Sequence, residues 1–144
     1  MFMGEYSHTI DEKGRLIIPA RFREGLGNEF VVTRGMDGCL FAYPLDSWNE
    51  FEEKLKALPG TGNKDARKLI RFFTAKAAGV ELDKQGRILI PAPLREHAGL
   101  QKDVILTGVL DRVEIWDPDK WNSYSDYEDL DDIAEELSEL GFNI

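Results

Sequence analysis

The chain reads as an α+β, β-dominated protein built from two tandem pseudo-symmetric repeats, with helices packed outside. Three observations predict this. The first is a duplication: residues 10–24 recur as residues 82–96. Eight of the fifteen aligned positions are identical, namely Asp11/Asp83, Gly14/Gly86, Arg15/Arg87, Ile18/Ile90, Pro19/Pro91, Ala20/Ala92, Arg23/Arg95 and Glu24/Glu96. An internal repeat governs how every other feature is interpreted. The second is a series of short apolar runs bounded by Gly, Pro and Asp, the pattern of strands and turns. The third is a pair of helical patterns lying between the two copies.

Taken in order, Tyr6, His8 and Ile10 alternate with Ser7 and Thr9, which is strand spacing with one face turned inward. Asp11 and Gly14 then occupy the first and last positions of a four-residue turn, where a carboxylate accepts backbone N–H groups and Gly takes positive φ without steric cost. Each copy therefore predicts a tight hairpin tip, with Arg15 or Arg87 as the first residue beyond it. Leu16-Ile17-Ile18 is the return strand, Pro19 starts a short helix over 20–26, and Gly27 stops it. Phe30–Thr33 and Cys39–Tyr43 predict two strands flanking a glycine-containing loop, closed by Pro44.

Asp46 or Ser47 is placed to cap a helix carrying Trp48, Phe51, Leu55 and Leu58 on one face. Pro59-Gly60-Thr61-Gly62 interrupts it. Asn63 caps a second helix with Ala66, Leu69, Ile70, Phe73 and Ala77 on its expected buried side, and Lys64, Arg67, Lys68 and Arg71 as a basic stripe opposite. The second half replays the first: strand 80–82, tip, strand 88–90, short helix to His97, strands 104–107 and 113–116, and a helix echoing the first after Asp117-Pro118. Ile133, Leu137 and Leu140 keep helical spacing inside the tail. The organisation is a first repeat over 5–47, a helical linker over 48–75, a second repeat over 76–120 and an acidic tail over 121–144.

The 144 residues carry a net charge of −9 at neutral pH, which argues against nucleic-acid binding until the charge is located. Residues 117–144 hold ten acids against Lys120 alone, so residues 1–116 are neutral overall. No apolar run approaches the roughly 18 residues of a membrane span, and residues 1–5 have no signal-peptide character, so a cytoplasmic protein is expected. One cysteine, Cys39, allows no internal disulfide. His8, His97 and Cys39 show no metal-ligand spacing and no catalytic triad arrangement, so neither metal, cofactor nor enzymatic activity is expected. Gly60-Thr61-Gly62-Asn63-Lys64 lacks the spacing of a phosphate-binding loop and reads as a linker.

A β-rich unit with uncovered edge strands closes by pairing with a second copy, here within the same chain. The two tips are then related by a pseudo-twofold axis and present Arg15 and Arg87 together. Arginine offers a rigid fork of donors suited to phosphate or to the guanine O6/N7 edge. The plainer reading of Asp11 and Arg15 is a surface ion pair worth about 0–1 kcal/mol. Retention of both residues in both copies, while Glu12-Lys13 became Lys84-Gln85, favours function.

Met1-Phe2-Met3-Gly4, Asp11-x-Lys13-Gly14-Arg15, Tyr43-Pro44 and Asp83-x-x-Gly86-Arg87 together make the chain resemble the bacterial MraZ proteins, within the wider AbrB-like (SpoVT-AbrB) swapped-hairpin transcription factors. The resemblance runs nearly end to end. It implies a double-split β-barrel, ring-shaped homo-oligomers, and binding of double-stranded DNA at repeated boxes in the promoter of the division and cell wall operon, including the family member's own gene. A nucleoid-associated regulator follows, with no membrane or small-molecule partner. The motif carries over to Arg15, Arg87 and, in the first copy only, Lys13 as DNA-binding residues, with Asp11, Gly14, Asp83 and Gly86 shaping the turns. The acidic residues from Asp126 to Glu139 are expected to lie away from the tips. A phosphate- or carboxylate-binding barrel and an antitoxin-like module are the other readings of such tips.

Overall fold

Strands from the two halves are interleaved in one antiparallel sheet. The computed structural model describes residues 1–59 and 62–144, so the predicted Pro59–Gly62 interruption lies in part outside the described residues. The first half comprises β1 (Glu5–Thr9), β2 (Arg15–Ile17), α1 (Ala20–Leu26), β3 (Glu29–Arg34), a 3₁₀ turn at Met36–Gly38, and β4 (Leu40–Pro44). The linker helices are α2 (Leu45–Lys56) and α3 (Lys64–Thr74). The second half comprises β5 (Ala78–Glu81), β6 (Arg87–Leu89), α4 (Ala92–Ala98), β7 (Asp103–Val109), β8 (Arg112–Trp116) and α5 (Pro118–Tyr124), and the tail carries α6 (Leu130–Ser138).

The sheet runs β1-β7-β8-β4-β3-β5, while β2 and β6 pair separately as a two-stranded ribbon. The launching strand of each half is thus exchanged: β1 pairs with β7 of the second half, Tyr6 opposite Leu106, and β5 pairs with β3 of the first, Val80 opposite Phe30. The return strands pair with each other, not with the strands that precede their tips; only an isolated bridge joins Ile10 to Leu16. The six-strand ladder does not close into a barrel, because the return strands have left it and its end strands, β1 and β5, share no ladder.

Alternation along the central strands buries both faces of this sheet. Leu40 and Ala42 of β4 point into one core with Phe22, Phe30, Leu16 and Ile88, under the ribbon and helices α1 and α4. Phe41 and Tyr43 point the other way, toward Leu55 of α2, Phe73 of α3 and Trp116. Full burial of a side chain such as Phe22 contributes about 1.5–3 kcal/mol, and Tyr6 braces it edge-on at 5.1 Å. Helix α3 is pinned to β3, since the Thr33 hydroxyl donates to the Phe73 carbonyl at 2.6 Å and Arg34 Nε to the Phe72 carbonyl at 3.0 Å.

Two local expectations are corrected. Helix α2 begins at Leu45, directly after Pro44, so Asp46 lies inside its first turn and neither Asp46 nor Ser47 caps it. Leu69, expected on the buried side of α3, is 37% exposed. Ala66 and Phe73 are the buried positions, and Leu69 sits at the margin of that arc. The predicted cap at Asn63 is present, its Oδ1 accepting from the N–H groups of Asp65 and Ala66; Asp117 caps α5 in the same way, accepting from the Lys120 N–H, which was not predicted.

Candidate nucleic-acid interface

Each tip is organised by one carboxylate. The Asp11 carbonyl accepts the Gly14 N–H at 3.0 Å, closing the four-residue turn, and the Asp11 N–H donates to the Arg15 carbonyl. Asp11 Oδ1 accepts from the N–H groups of Lys13 (3.0 Å) and Arg15 (2.9 Å), and Oδ2 accepts from Arg15 Nε at 2.7 Å. The second tip repeats this bond for bond: Gly86 N–H to the Asp83 carbonyl, Gln85 and Arg87 N–H to Asp83 Oδ1, and Arg87 Nε to Oδ2 at 2.9 Å. The Arg15 N–H bond, with the Arg15 side chain and Lys13 N–H behind it, holds the Asp11 carboxyl below the usual carboxylate range against the opposing effect of burial. Arg87 and Gln85 do the same for Asp83.

The ribbon brings the tips side by side. Arg15 lies opposite Leu89 and Ile17 opposite Arg87, so these four share the outward face while Leu16 and Ile88 face the core. Gly86 and Gly14 accept backbone bonds from Ile18 and Ile90 respectively, both at 2.9 Å, one across each end of the ribbon. Arg87 Nη1 lies 4.0 Å from Asp11 Oδ2, so an arginine of one tip also reaches the carboxylate of the other.

Two further arginines complete the cluster, and they are residues for which the sequence suggested no role. Arg23 of α1 donates its Nε to the Ile18 carbonyl at 2.8 Å, and Arg95 of α4 donates to the Ile90 carbonyl at 3.0 Å. Each guanidinium packs against the glycine of the opposite tip, Arg23 on Gly86 and Arg95 on Gly14. A Cβ built on Gly14 would stand 2.9 Å from Arg95 Cζ. Glycine is therefore needed at these positions both for φ of +84° and +76° and for the space. The retention of Arg23 and Arg95 in both copies was the signal available in the sequence. His8, half-buried on β1, is held below the ordinary histidine range by burial and then by the charge of Arg23.

The arrangement presents four guanidinium groups against two aspartates. Arg15, Arg87, Arg23 and Arg95 each commit Nε inside the fold, which fixes the plane of the fork and leaves Nη donors to engage an anion or a base edge. The Lys13 side chain is exposed beside the first tip, and Gln85 takes its place at the second. Cys39 is buried, and burial pushes its thiol far above the usual range. Among the described residues no group of three or more His, Cys, Asp or Glu is placed to hold a metal ion, and no helix is long and apolar enough to cross a membrane.

Comparison with known proteins places this geometry in a family. The family model described as MraZ protein, antitoxin-like, matches the chain twice, over residues 1–72 and 73–141. The chain belongs to the MraZ family. A transcriptional regulator MraZ of Clostridium beijerinckii is 58% identical over 142 residues, covering 98% of this chain and 99% of the relative. Another, from Caldanaerobacter subterraneus, is 59% identical over 146 residues and covers all of both chains. A third, from Ligilactobacillus salivarius, is 59% identical over 139 residues, covering 95% of this chain and 96% of the relative. MraZ relatives are thus named as regulators of transcription, and the two matched segments divide the chain between its tips.

Proposed function

We propose that this chain is a sequence-specific DNA-binding transcriptional regulator, not an enzyme, and that its paired tips are the DNA-reading surface. The observation that carries this is the paired Asp–Arg arrangement, in which each carboxylate fixes the turn and the adjacent guanidinium while the ribbon holds both arginines on one outward face. In this reading Arg15 and Arg87 bond guanine edges in the major groove, Lys13 contacts phosphate, and Asp11, Asp83, Gly14 and Gly86 hold the tips in shape. Arg23 and Arg95, seated over the tip glycines, contact the flanking phosphates.

The target is the set of repeated boxes in the promoter of the division and cell wall operon, including the regulator's own gene, in the cytoplasm and at the nucleoid. The chain acts as a ring-shaped homo-oligomer, because many tips on repeated boxes gain avidity of about 10²–10⁴ without any new contact. The repeat, linker and tail boundaries given above describe its working parts. The double-split arrangement that goes with this reading rests on the exchange of β1 and β5 between halves rather than on a closed ladder. The acidic tail stays clear of the tips, where repulsion from phosphate is screened beyond about 8 Å.

Mobility shifts on DNA from upstream of the chain's own gene test the proposal. A bidentate arginine contact gives about 1–3 kcal/mol of discrimination, so Arg15→Ala and Arg87→Ala should each weaken binding by about 5- to 150-fold. Unchanged binding by the double variant would overturn it. Affinity should also fall steeply with salt, as neutralising several phosphates at once demands, whereas a single bound anion would give a shallow dependence.

A further inference from the structure

The tail helix α6, with Leu140 just beyond its end, carries a partly exposed apolar stripe. Leu130, Ile133, Leu137 and Leu140 recur at helical spacing, yet Ile133 and Leu137 remain 40% and 41% exposed and Leu140 83%. The rest of the helix is acidic: Asp131, Asp132, Glu135 and Glu136, with no basic residue. An amphipathic helix whose apolar face stays partly exposed marks a candidate interaction surface.

A complementary surface lies elsewhere on the same chain. A groove of about 470 Å³ runs between α3 and the 3₁₀ turn, with Met36, Leu69 and Phe72 as its apolar floor, His97 at one side, and Lys68 and Asp65 on its rim. Both Met36 (51%) and Leu69 are exposed there. The charged lining is mixed, with Asp37 and Asp65 beside Lys68, but helical spacing sets the exposed Lys64 and Arg71 next to Lys68 on α3, so the groove is apolar within and has one basic flank. An apolar floor has no use in holding phosphate, which accounts for why the basic stripe fits a protein partner better than DNA. What matches it is a short acidic helix with an apolar stripe, docked in the helix-in-groove mode.

The geometry points to α6 of one copy lying in the α3 groove of a neighbouring copy, apolar stripe inward and its carboxylates against Lys64, Lys68 and Arg71. In the chain itself α6 is not seated there, because none of its residues lines the groove. The two patches are different surfaces, so the contact is heterologous: each copy gives its tail to one neighbour and receives one from the other. Such contacts generate closed rings when the rotation between copies closes. This assigns the acidic tail to assembly. It rests on the self-association named in the proposed function, but not on DNA binding.

Disulfide trapping in the full-length chain tests it. Leu69→Cys and Leu137→Cys are exposed positions, and the native Cys39 is buried and unreactive. Mixed under mild oxidation, the two single variants should yield a linked pair containing one of each, at least tenfold faster than either variant links to itself. No such preference, or a cross-link closing within one chain of the double variant, would overturn the assignment. A charge exchange gives an independent reading by sedimentation: Lys68→Glu and Glu136→Lys should each reduce the assembly size, and the two together in one chain should restore it. Failure of that rescue counts against the contact. A cross-link that forms in a protein unable to shift promoter DNA would sink the DNA-binding reading and leave this one standing.

Discussion

The guanidinium of Arg95, carried by the helix that follows the second tip, rests against Gly14 at the first, while Arg23 rests against Gly86 in return. Each tip is therefore supported by a side chain from the other half. Gly14→Ala should strain a positive-φ position, costing about 1–2 kcal/mol, and should also displace Arg95. Urea unfolding of Gly14→Ala, Arg95→Ala and the double variant separates the two effects. The single costs should not add, because removing the guanidinium relieves the steric part and leaves only the backbone part.

The two tips differ in one cation. Lys13→Ala should weaken binding to all DNA sequences alike and reduce the salt slope by about 0.9, the signature of one lost phosphate contact. Gln85→Lys should do the reverse, steepening the slope by a similar amount. Titrations of both variants at several salt concentrations read these slopes directly.

A buried carboxylate on β8 should matter more to stability than the exposed tip pairs. Glu114 is 8% exposed and accepts from Arg112 Nη2 at 2.8 Å and Nε at 3.0 Å, and from Trp116 Nε1 at 3.1 Å. Arg112 also stacks 3.9 Å over the Phe41 ring. Glu114→Ala leaves the buried indole N–H unpaired while Arg112, partly exposed, keeps its contact with Tyr43, so the cost should be about 1–3 kcal/mol. Exposed Lys56→Ala, which removes the pair with Glu53, should change stability by less than about 0.5 kcal/mol. Chemical denaturation of both variants checks the contrast.

His8 and His97 set a pH dependence near neutrality. Burial is the main cause that lowers both below the ordinary value, aided by Arg23 at His8 and, at His97, by Arg34 and Lys120 against the opposing Gly35 carbonyl. The unfolded chain then binds more protons than the folded one between the two values, so stability rises with pH through that window. It is fully present above about pH 6.5 and is lost as pH falls through the lower folded values. Denaturation midpoints measured between pH 5 and 8 should show this slope, and His8→Gln with His97→Gln should flatten it.

Local chemistry was legible because it is carried by neighbours in sequence. Asp and Gly three apart between two apolar runs favour a turn, and Pro19 and Gly27 bounded the first short helix correctly. The duplication also signalled that the halves would pair. What spacing cannot convey is which groups meet across the fold. Arg23 and Gly86 are far apart in the chain and give no periodic signal, so their packing emerged only with the ribbon in place. Leu69 was misplaced because helical spacing alone admits a wider apolar arc than β3 and α2 cover. The start of α2 was missed since Asp46 and Ser47 have capping chemistry, whereas the chain enters the helix straight from the strand through Pro44.

The exchange of β1 onto β7 has a consequence for how the protein is made. Tyr6 leaves the ribosome about a hundred residues before Leu106, the residue it faces in the sheet. At roughly 5–20 residues per second, that interval lasts about 5–20 s. Throughout it the nascent first half carries an unpaired strand whose natural partner does not yet exist, on a polysome where neighbouring chains expose the same edge. Synthesis order therefore makes the interval before residue 106 the time when this chain is most open to joining the wrong copy of itself.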